Sequence, residues 1–299
     1  MFPRVCGRCA VLRLSGAPGR PHRRLAIRHF DYKSPESLLE ASQLLSSKAY
    51  RAVLLSGGTD LIVQMSKGVL SPEKVIDLKR VADLSDRVEE TESGVRVGAL
   101  ARMEDIAANE TICRHFPALS EALRTIGSVQ IRNRATLPGN ICNASPAADT
   151  APPLLIYSAR VNLFSAASRR TLPLERFFKA PGKTALEPGE IVESIDIPFC
   201  ESGAGSAFER LSRRNALDIA SVSVACLVAP SGRIRLGLGA VGPTPILIEG
   251  EEAEIWEMAD ARVRPISDIR ASKDYRRAMV LALGARALRR AREQAGRQG

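Results

Sequence analysis

The chain contains 299 residues, of which 45% are hydrophobic and 25% are charged, a composition typical of a soluble globular protein with two domains or one large one. The net charge of +10 is unevenly placed, because seven arginines and no acidic residue occur up to Arg28, which leaves about +3 for the remainder. This distribution and an aromatic content of 4% argue against a nucleic-acid-binding surface, and no apolar run approaches the roughly 18 residues that a membrane-spanning helix needs.

Residues 1–27 are rich in arginine, lack acidic residues and are interrupted by glycine and proline, a composition that does not fold on its own. We interpret this segment as a disordered basic extension or a misassigned start, with a transit peptide as the alternative. Cys6 and Cys9 form a lone CxxC motif without further ligands in reach, so we expect no metal or redox site there. Without a signal peptide, the six cysteines indicate reduced thiols in a cytoplasmic protein.

The first predicted element is a helix from Ser34 to Lys48. Ser34 is its predicted N-cap, Pro35 takes the first helical position, and its buried stripe consists of four apolar side chains: Leu38, Ala41, Leu44 and Leu45.

A glycine turn at residues 56–58 follows a short buried strand predicted at 52–55. Thr59 is the predicted N-cap and Asp60 lies in the first turn of the next helix, which Gly68 ends. A strand, a glycine turn and a helix N-terminus together present free N–H groups to a phosphate. An ordinary strand-to-helix turn is the alternative.

Residues 125–153 are the densest run of turn-forming and small polar residues in the chain, and Pro138, Gly139, Asn140 and Asp149 lie within it. We expect this stretch to form no core element and to place backbone N–H groups and short polar side chains against a polar ligand. A long surface loop between two helices is the alternative.

The other elements predicted before residue 200 are short. The strands are 74–78, 94–100, 160–165 and 191–197, the helices are 103–109 and 118–126, residues 154–157 are buried, and 172–178 is a short helix or turn. The pattern lacks the long βαβ periods of a doubly wound sheet and therefore predicts an α+β fold.

Residues 199–207 are the predicted boundary to a C-terminal domain. Beyond them, 219–229 and 233–240 alternate apolar and polar residues as two strands of a hairpin, and 273–292 predicts an amphipathic, arginine-rich helix. The spelling GxGxxG at 237–242 lies at a strand end and is followed by proline, so it is not a dinucleotide-binding fingerprint.

The segments SGGTDL (56–61) and TLPGNICNASPAADTAP (136–152) together resemble the FAD-binding, or medium, subunits of the molybdenum hydroxylases, a family that includes xanthine dehydrogenase, carbon monoxide dehydrogenase and aldehyde oxidase. The resemblance continues with SRRNALDIASVSVA (212–225), RIRLGLGAVGPTP (233–245) and the tail at 268–288. It implies a two-subdomain α+β FAD-binding fold of the PCMH/vanillyl-alcohol oxidase type in residues 28–200. A small α+β C-terminal domain, an antiparallel sheet with helices, is implied for 205–299.

The resemblance also implies FAD as a non-covalent cofactor, with two loops on opposite sides of its diphosphate. The implied contacts are Leu54, Leu55, Ser56, Gly57, Gly58, Thr59, Asp60, Leu61, Ile126, Thr136, Leu137, Pro138, Gly139, Asn140, Asp149, Val192 and Arg210. A plain core residue is the alternative for Ile126, and a helix cap is the alternative for Asp149.

Two residues depart from the family pattern. Pro138 replaces a frequent glycine and removes one N–H donor. Glu209 stands at a position that is lysine in some members, and Arg210 beside it is the candidate for the missing positive charge.

No catalytic residues or metal ligands are predicted. His22, His29 and His115 share no pattern, so the chemistry must come from a bound cofactor. The body of the chain has no group of four cysteines, and we therefore expect no iron–sulfur cluster in it.

The resemblance implies an electron-transfer subunit. A large partner carries the molybdenum cofactor and oxidises the substrate, and a small partner with 2Fe-2S clusters passes electrons to FAD, which delivers them to NAD⁺, a quinone or oxygen. The helix at 273–292, with Arg289 and Arg290, is a candidate partner surface, and a solvated charged face is its alternative. A stand-alone FAD oxidoreductase of the same fold and a flavin-free scaffold subunit are the other interpretations.

Overall fold

A computed structural model describes residues 27–214 and 217–298 of the chain. The first part is a small parallel sheet of three strands in the order β1-β3-β2. One helix connects β1 to β2, and a second helix connects β2 to β3. Its elements are β1 (Asp31–Lys33), α1 (Leu38–Ser46), β2 (Ala52–Leu55), α2 (Leu61–Ser66) and β3 (Lys74–Asp77).

Helix α1 begins later than predicted. Its N-cap is Ser37, whose hydroxyl accepts a hydrogen bond from the Glu40 N–H at 3.2 Å, so the prediction of Ser34 as N-cap is wrong. Residues 31–33 pair with β3 as a strand, and the chain needs residues 34–36 to turn before the helix can begin. Leu38 and Ala41 are buried as predicted.

The second part is a five-stranded antiparallel sheet in the order β4-β5-β10-β6-β7, with helices packed on one face. Its strands are β4 (Val88–Thr91), β5 (Gly94–Gly98), β6 (Arg160–Phe164), β7 (Arg169–Pro173) and β10 (Ile191–Pro198). The helices before β6 include α3 (Met103–Ala108), α4 (Glu110–His115) and α5 (Pro117–Thr125), and α9 (Leu174–Phe177), β8 (Phe178–Ala180) and β9 (Lys183–Thr184) follow β7. Val97, Val161 and Ile195 on the inner face belong to the largest hydrophobic core.

The stretch 125–153 is not a loop. It contains α6 (Val129–Arg132) and α7 (Leu137–Cys142) and leads into α8 (Ala151–Ile156). Ser128 and Thr136 cap α6 and α7 through their hydroxyls. Buried Leu137 and Ile141 join the core, so the prediction that this stretch builds no core element is wrong. Helices of four to six residues are too short for an apolar period to emerge from the sequence.

The third part is a four-stranded antiparallel sheet in sequential order, covered by two helices. Its elements are β11 (Gly205–Leu211), β12 (Val222–Val228), β13 (Ile234–Gly239), β14 (Ile246–Gly250), α10 (Glu252–Arg262) and α11 (Lys273–Gln298). Val224, Cys226 and Leu236 share the face that packs on α11, as the alternation predicts. Strand β11 was not predicted, because its small residues resemble a linker.

The GxGxxG spelling belongs to a strand end, as predicted. Gly237 lies within β13, and a Cβ on it would lie 2.2 Å from the carbonyl oxygen of Pro152. The glycine therefore lets the sheet pack closely on α8.

The arginines of α11 largely serve the chain itself. Arg290 donates to Glu121 at 2.5 Å, to Glu209 at 3.0 Å and to the Phe208 carbonyl at 2.9 Å. These contacts join α11 to β11 and α5, so Arg290 does not belong to a free partner surface, contrary to that hypothesis. That Arg289 belongs to a partner surface stays a hypothesis, since its side chain is exposed.

Among residues 27–214 and 217–298, no helix combines the length and apolarity required to cross a bilayer. The same residues contain no cluster of three or more His, Cys, Asp or Glu side chains arranged to hold a metal ion. Cys6, Cys9 and His22 lie outside the described residues.

Candidate functional site

A cavity of about 820 Å³ lies between the parallel sheet and the helices α6 and α7. Its volume is in the range of about 300–1,000 Å³ typical of small-molecule sites. Most of the residues predicted to bind a cofactor line it: Leu54, Ser56, Gly57, Gly58, Thr59, Asp60, Leu61, Ile126, Thr136, Pro138, Gly139, Asn140 and Val192. The structure thus brings together two sequence segments that lie far apart in the chain.

The first wall is the turn between β2 and α2. Gly58 has φ of +78°, a conformation that glycine adopts without strain. Within the described residues, none of the five backbone N–H groups from Gly57 to Leu61 finds an acceptor. Helix α2 begins at Leu61 after Asp60, which makes no side-chain cap, so the prediction of Thr59 as N-cap is wrong. This run of free donors fits an anionic group of several oxygens, such as a diphosphate.

Gly57 brings the two walls together. A Cβ on this residue would lie 2.1 Å from the carbonyl oxygen of Arg134, so only glycine allows the first loop to approach the backbone before Thr136. Residues nearby in the chain also meet, since the hydroxyl oxygens of Ser56 and Thr136 lie 3.1 Å apart.

The second wall, residues 136–140, has few free backbone N–H groups. The N–H of Leu137 donates to the Ala101 carbonyl, Pro138 has none, and the N–H of Gly139 donates to the Thr136 hydroxyl. The N–H of Asn140 donates to the Thr136 carbonyl. An anion in this cavity therefore meets most of its free N–H donors on the first wall.

A third wall was missed by the sequence analysis. Residues 186–191 line the cavity, as do Met103, Ile131 and a hydrogen-bonded pair, Gln64 and Asn143, at 3.2 Å. The Pro188-Gly189 turn was a local signal, but nothing in its spacing linked it to the glycine turn. Cys142 also faces the cavity, and burial raises the pKa of its thiol to about 12, so this thiol is neutral at physiological pH.

Four predicted residues do not line the cavity. Leu55 and Leu137 contribute to its support, since a Cδ1 of Leu55 lies beneath Gly58 and Leu137 is buried in the core.

Asp149 and Arg210, the other two, form a buried ion pair with an Nε to Oδ2 distance of 3.3 Å. Arg210 also donates to the carbonyls of Thr125 at 3.4 Å and Asp218 at 2.6 Å, and Thr125 directly precedes the cavity residue Ile126. Asp149 makes no cap on α8, which excludes that alternative.

Glu209 and Arg210 point in opposite directions because they are neighbours on β11. Glu209 pairs with Arg286 and Arg290 of α11, whereas Arg210 faces Asp149. Of the two, it is therefore Arg210 that carries a positive charge toward the cavity side of the strand.

Burial raises the pKa of Asp149 from its ordinary 3.8 to about 6, although Arg210 opposes the shift. A raised folded-state pKa means that the carboxyl stabilises the fold most below pH 3.8 and that this contribution is lost as pH rises through about 6. Replacing Asp149 by asparagine removes this dependence. We expect the free energy of unfolding of the variant, relative to the parent chain, to increase by up to about 3 kcal/mol between about pH 3 and pH 7 in urea unfolding.

Asp196→Asn is the matched control. Burial alone would raise the pKa of Asp196, but hydrogen bonds from Arg96 at 2.7 and 3.0 Å outweigh it and lower the pKa. The relative stability of this variant should therefore fall as pH rises. A slope of the same sign in both variants would contradict the assignment of a raised pKa to Asp149.

Comparison with known proteins places this site in a family. Residues 28–200 match the model described as the FAD binding domain in molybdopterin dehydrogenase. The carbon monoxide dehydrogenase medium chain of Hydrogenophaga pseudoflava is 32% identical over 276 residues, which cover 87% of this chain and 96% of that protein. A putative xanthine dehydrogenase FAD-binding subunit of Escherichia coli K12 is 32% identical over 263 residues, covering 82% of this chain and 90% of that subunit.

Solved structures of related proteins are also similar to this chain. A chain of reconstituted CO dehydrogenase from Oligotropha carboxidovorans superimposes with a TM-score of 0.84 at 28% identity, and the match covers 89% of this chain and 99% of that one. The similarity therefore includes the C-terminal sheet as well as the cavity. This chain belongs to the family of FAD-binding subunits of the molybdenum hydroxylases, which are oxidoreductases.

Proposed function

We propose that this chain is the electron-transfer flavoprotein subunit of a molybdenum-containing hydroxylase or dehydrogenase complex. The observation that carries the proposal is the run of free N–H donors from Gly57 to Leu61 on one wall of a large cavity. The chain that holds this cavity aligns, at 32% identity, with 96% of the length of a carbon monoxide dehydrogenase medium chain. Residues 28–200 form the FAD-binding domain and residues 205–299 the C-terminal domain.

The chain holds FAD without a covalent bond. The N–H groups of Gly57, Gly58 and Thr59 would hold the diphosphate, and Thr136 would line the opposite wall. Ile126 and Val192 would supply apolar surface for the cofactor, and Arg210 would hold a positive charge beside Thr125, whose carbonyl it contacts. Bound FAD supplies a carrier that accepts electrons singly or in pairs.

Two partners complete the complex. A large subunit with a molybdenum cofactor oxidises the substrate, and a small subunit with 2Fe-2S clusters passes the electrons to this chain. NAD⁺, a quinone or oxygen then accepts them from the flavin. The names of relatives as medium chains and FAD-binding subunits support a division of labour among several polypeptides.

The absorption spectrum of the protein purified gently from its source tests this proposal. We expect flavin bands overlaid by iron–sulfur absorption, with both bleached by the substrate of the complex. Flavin bands on a single chain without iron would favour a stand-alone FAD oxidoreductase. A colourless chain that takes up no added FAD would contradict flavin binding and favour a scaffold subunit.

A further inference from the structure

The buried ion pair of Asp149 and Arg210 lies directly behind the cavity wall. Arg210 donates to the carbonyl of Thr125 at 3.4 Å, and the residue that follows Thr125 lines the cavity. Thr150, next to Asp149 in the chain, donates through its hydroxyl at 2.6 Å to the side-chain oxygen of Asn140, which also lines the cavity. A change of charge in the cavity therefore acts on the pair across a single layer of residues.

The pair leaves buried polar atoms without hydrogen bonds. Among residues 27–214 and 217–298, Oδ1 of Asp149, Nε of Arg210 and the hydroxyl oxygen of Ser223 are buried and find no partner. Nε of Arg210 approaches Oδ2 of Asp149 at 3.3 Å, which joins the two charges without the geometry of a hydrogen bond. Buried polar atoms are nearly always hydrogen-bonded, so three exceptions at one place indicate a role beyond packing.

A proton on Asp149 gives its free oxygen a hydrogen bond to make. An ionised carboxylate only accepts, and Oδ1 receives no donor. A protonated Oδ1 is a donor, and the buried hydroxyl of Ser223 beside it is an acceptor without a partner. The site thus has Arg210 for the carboxylate and Ser223 for the acid. Burial raises the pKa of Asp149 to about 6 against the opposing charge of Arg210, so both states are accessible near neutral pH.

The groups that face Asp149 come from three elements. The end of α5 contributes Thr125, β11 contributes Arg210 and β12 contributes Ser223. Within the described parts of the chain, Arg210 is the charged side chain among them, because Glu209 pairs with arginines of α11 on the opposite side of β11. The protonation of Asp149 is therefore set by its burial, by Arg210 and by any charge that enters the cavity.

The pair also lies close to solvent on the side away from the cavity. Arg210 donates to the carbonyl of Asp218 at 2.6 Å. The residues on either side of Asp218, Leu217 and Ile219, are both exposed. A proton from solvent therefore reaches the pair through a thin layer of the C-terminal part.

The carboxylates of the cavity wall itself differ from Asp149. Glu190 is buried, but bidentate hydrogen bonds from Arg170 at 2.6 and 2.7 Å lower its pKa and hold it ionised. The side chain of Glu187 is 70% exposed. Burial raises the pKa of Asp60 too, although this residue is exposed toward the open cavity, so Asp60 is the rival that an experiment must separate from Asp149.

We propose that Asp149 is the residue that takes up a proton to compensate the negative charge of electrons added to the cofactor in this cavity. The inference rests on the proposed function. The electrons come from the reductant, and the proton comes from solvent and forms an O–H bond at Oδ1 of Asp149, while no other bond in the chain breaks. Negative charge in a site shielded from water strengthens proton binding at a nearby carboxylate.

The test is the reduction potential of the full chain loaded with FAD, measured against pH by titration with dithionite and reference dyes. Asp149→Asn resembles the protonated acid at every pH. We expect the two potentials to agree at about pH 5, where Asp149 is mostly protonated in either redox state. At about pH 8 the parent should lie at least about 30 mV lower, which for a two-electron couple equals a tenfold higher affinity of the reduced chain for the proton.

Two further variants bracket this result. Arg210→Gln keeps the carboxylate but removes the cation that opposes its protonation, so the step in potential should move to a pH at least about 1 higher. Asp196→Asn is the matched control, because Arg96 holds Asp196 ionised and neither residue lines the cavity. Its potential should equal that of the parent chain at each pH.

Infrared difference spectra of the reduced and oxidised chain detect the proton directly. Reduction of the parent at about pH 7 should produce a carboxylic acid C=O band that Asp149→Asn lacks. Absence of the band from the parent would overturn the inference, and so would its presence in Asp149→Asn, which would assign the proton to another carboxylate such as Asp60. Potentials of parent and Asp149→Asn that differ equally at both pH values would also overturn it, since packing or fixed charge gives that result.

Loss of flavin from Asp149→Asn leaves the decision to the parent chain and Arg210→Gln. A band in the parent that shifts to higher pH in Arg210→Gln supports the inference, and a band that does not shift contradicts it. Flavin content separates the two proposals. A parent chain that takes up no FAD contradicts the proposed function, whereas a FAD-loaded parent without the pH-dependent step contradicts only the role of Asp149.

Discussion

Replacing Gly58 by valine should raise the dissociation constant for FAD by at least about a hundredfold. Gly58 has φ of +78°, and a Cβ there would lie 2.7 Å from Cδ1 of Leu55. A β-branched residue strongly disfavours this conformation, so the turn must rearrange and the N–H groups from Gly57 to Leu61 no longer converge. Losing two hydrogen bonds to a charged diphosphate costs about 3–6 kcal/mol. Titration of the chain with FAD, followed by flavin fluorescence, measures the change.

Gly68→Val separates this effect from general backbone strain. Gly68 has φ of +69°, no atom lies within 4 Å of its would-be Cβ, and it does not line the cavity. Both variants should lose about 1–2 kcal/mol of stability from the left-handed conformation. Only Gly58→Val should lose FAD, and a similar loss in Gly68→Val would mean that strain, not the loop, controls binding.

Replacing Arg290 by alanine should lower the free energy of unfolding by about 2–4 kcal/mol. The guanidinium joins α11 to Glu121 of α5 and to Phe208 and Glu209 of β11. Its removal leaves Glu209, which is 8% exposed, with Arg286 as its remaining cation. Urea unfolding followed by circular dichroism measures the change.

The neighbouring arginine provides the control. The side chain of Arg289 is 73% exposed and its nearest carboxylate, that of Glu293, is 4.0 Å away. Arg289→Ala should therefore change the stability by less than about 0.5 kcal/mol. Equal losses in the two variants would show that the contacts of Arg290 do not account for the effect.

Local features of this protein were readable from its sequence. The strand and glycine turn at 52–58 were predicted because positive φ and tight turns depend on the residues themselves. The shared face of Val224 and Cys226 followed from the period of two along a strand. The α+β class followed from short helices interleaved with short strands, and the family followed from the segments at 56–61 and 136–152.

Errors occurred where local signals were short or ambiguous. Helices α6 and α7 are too short to show an apolar period, and β11 begins with three small residues, Gly205, Ser206 and Ala207, that resemble a linker. At α1 the preceding strand shifted the cap from Ser34 to Ser37, because pairing with β3 overrides a local preference.

Only the tertiary structure decided which distant groups meet. It placed residues 186–191 on the cavity wall, brought the hydroxyl of Ser56 within 3.1 Å of that of Thr136, and directed Arg210 toward Asp149 while Glu209 faces Arg290. The sequence alone determined the glycine turn at 56–58 and the alternation along β12 and β13, since those depend on neighbouring residues. Contacts between residues far apart depend instead on the packing of the whole chain, which sets the distance and the burial of each pair.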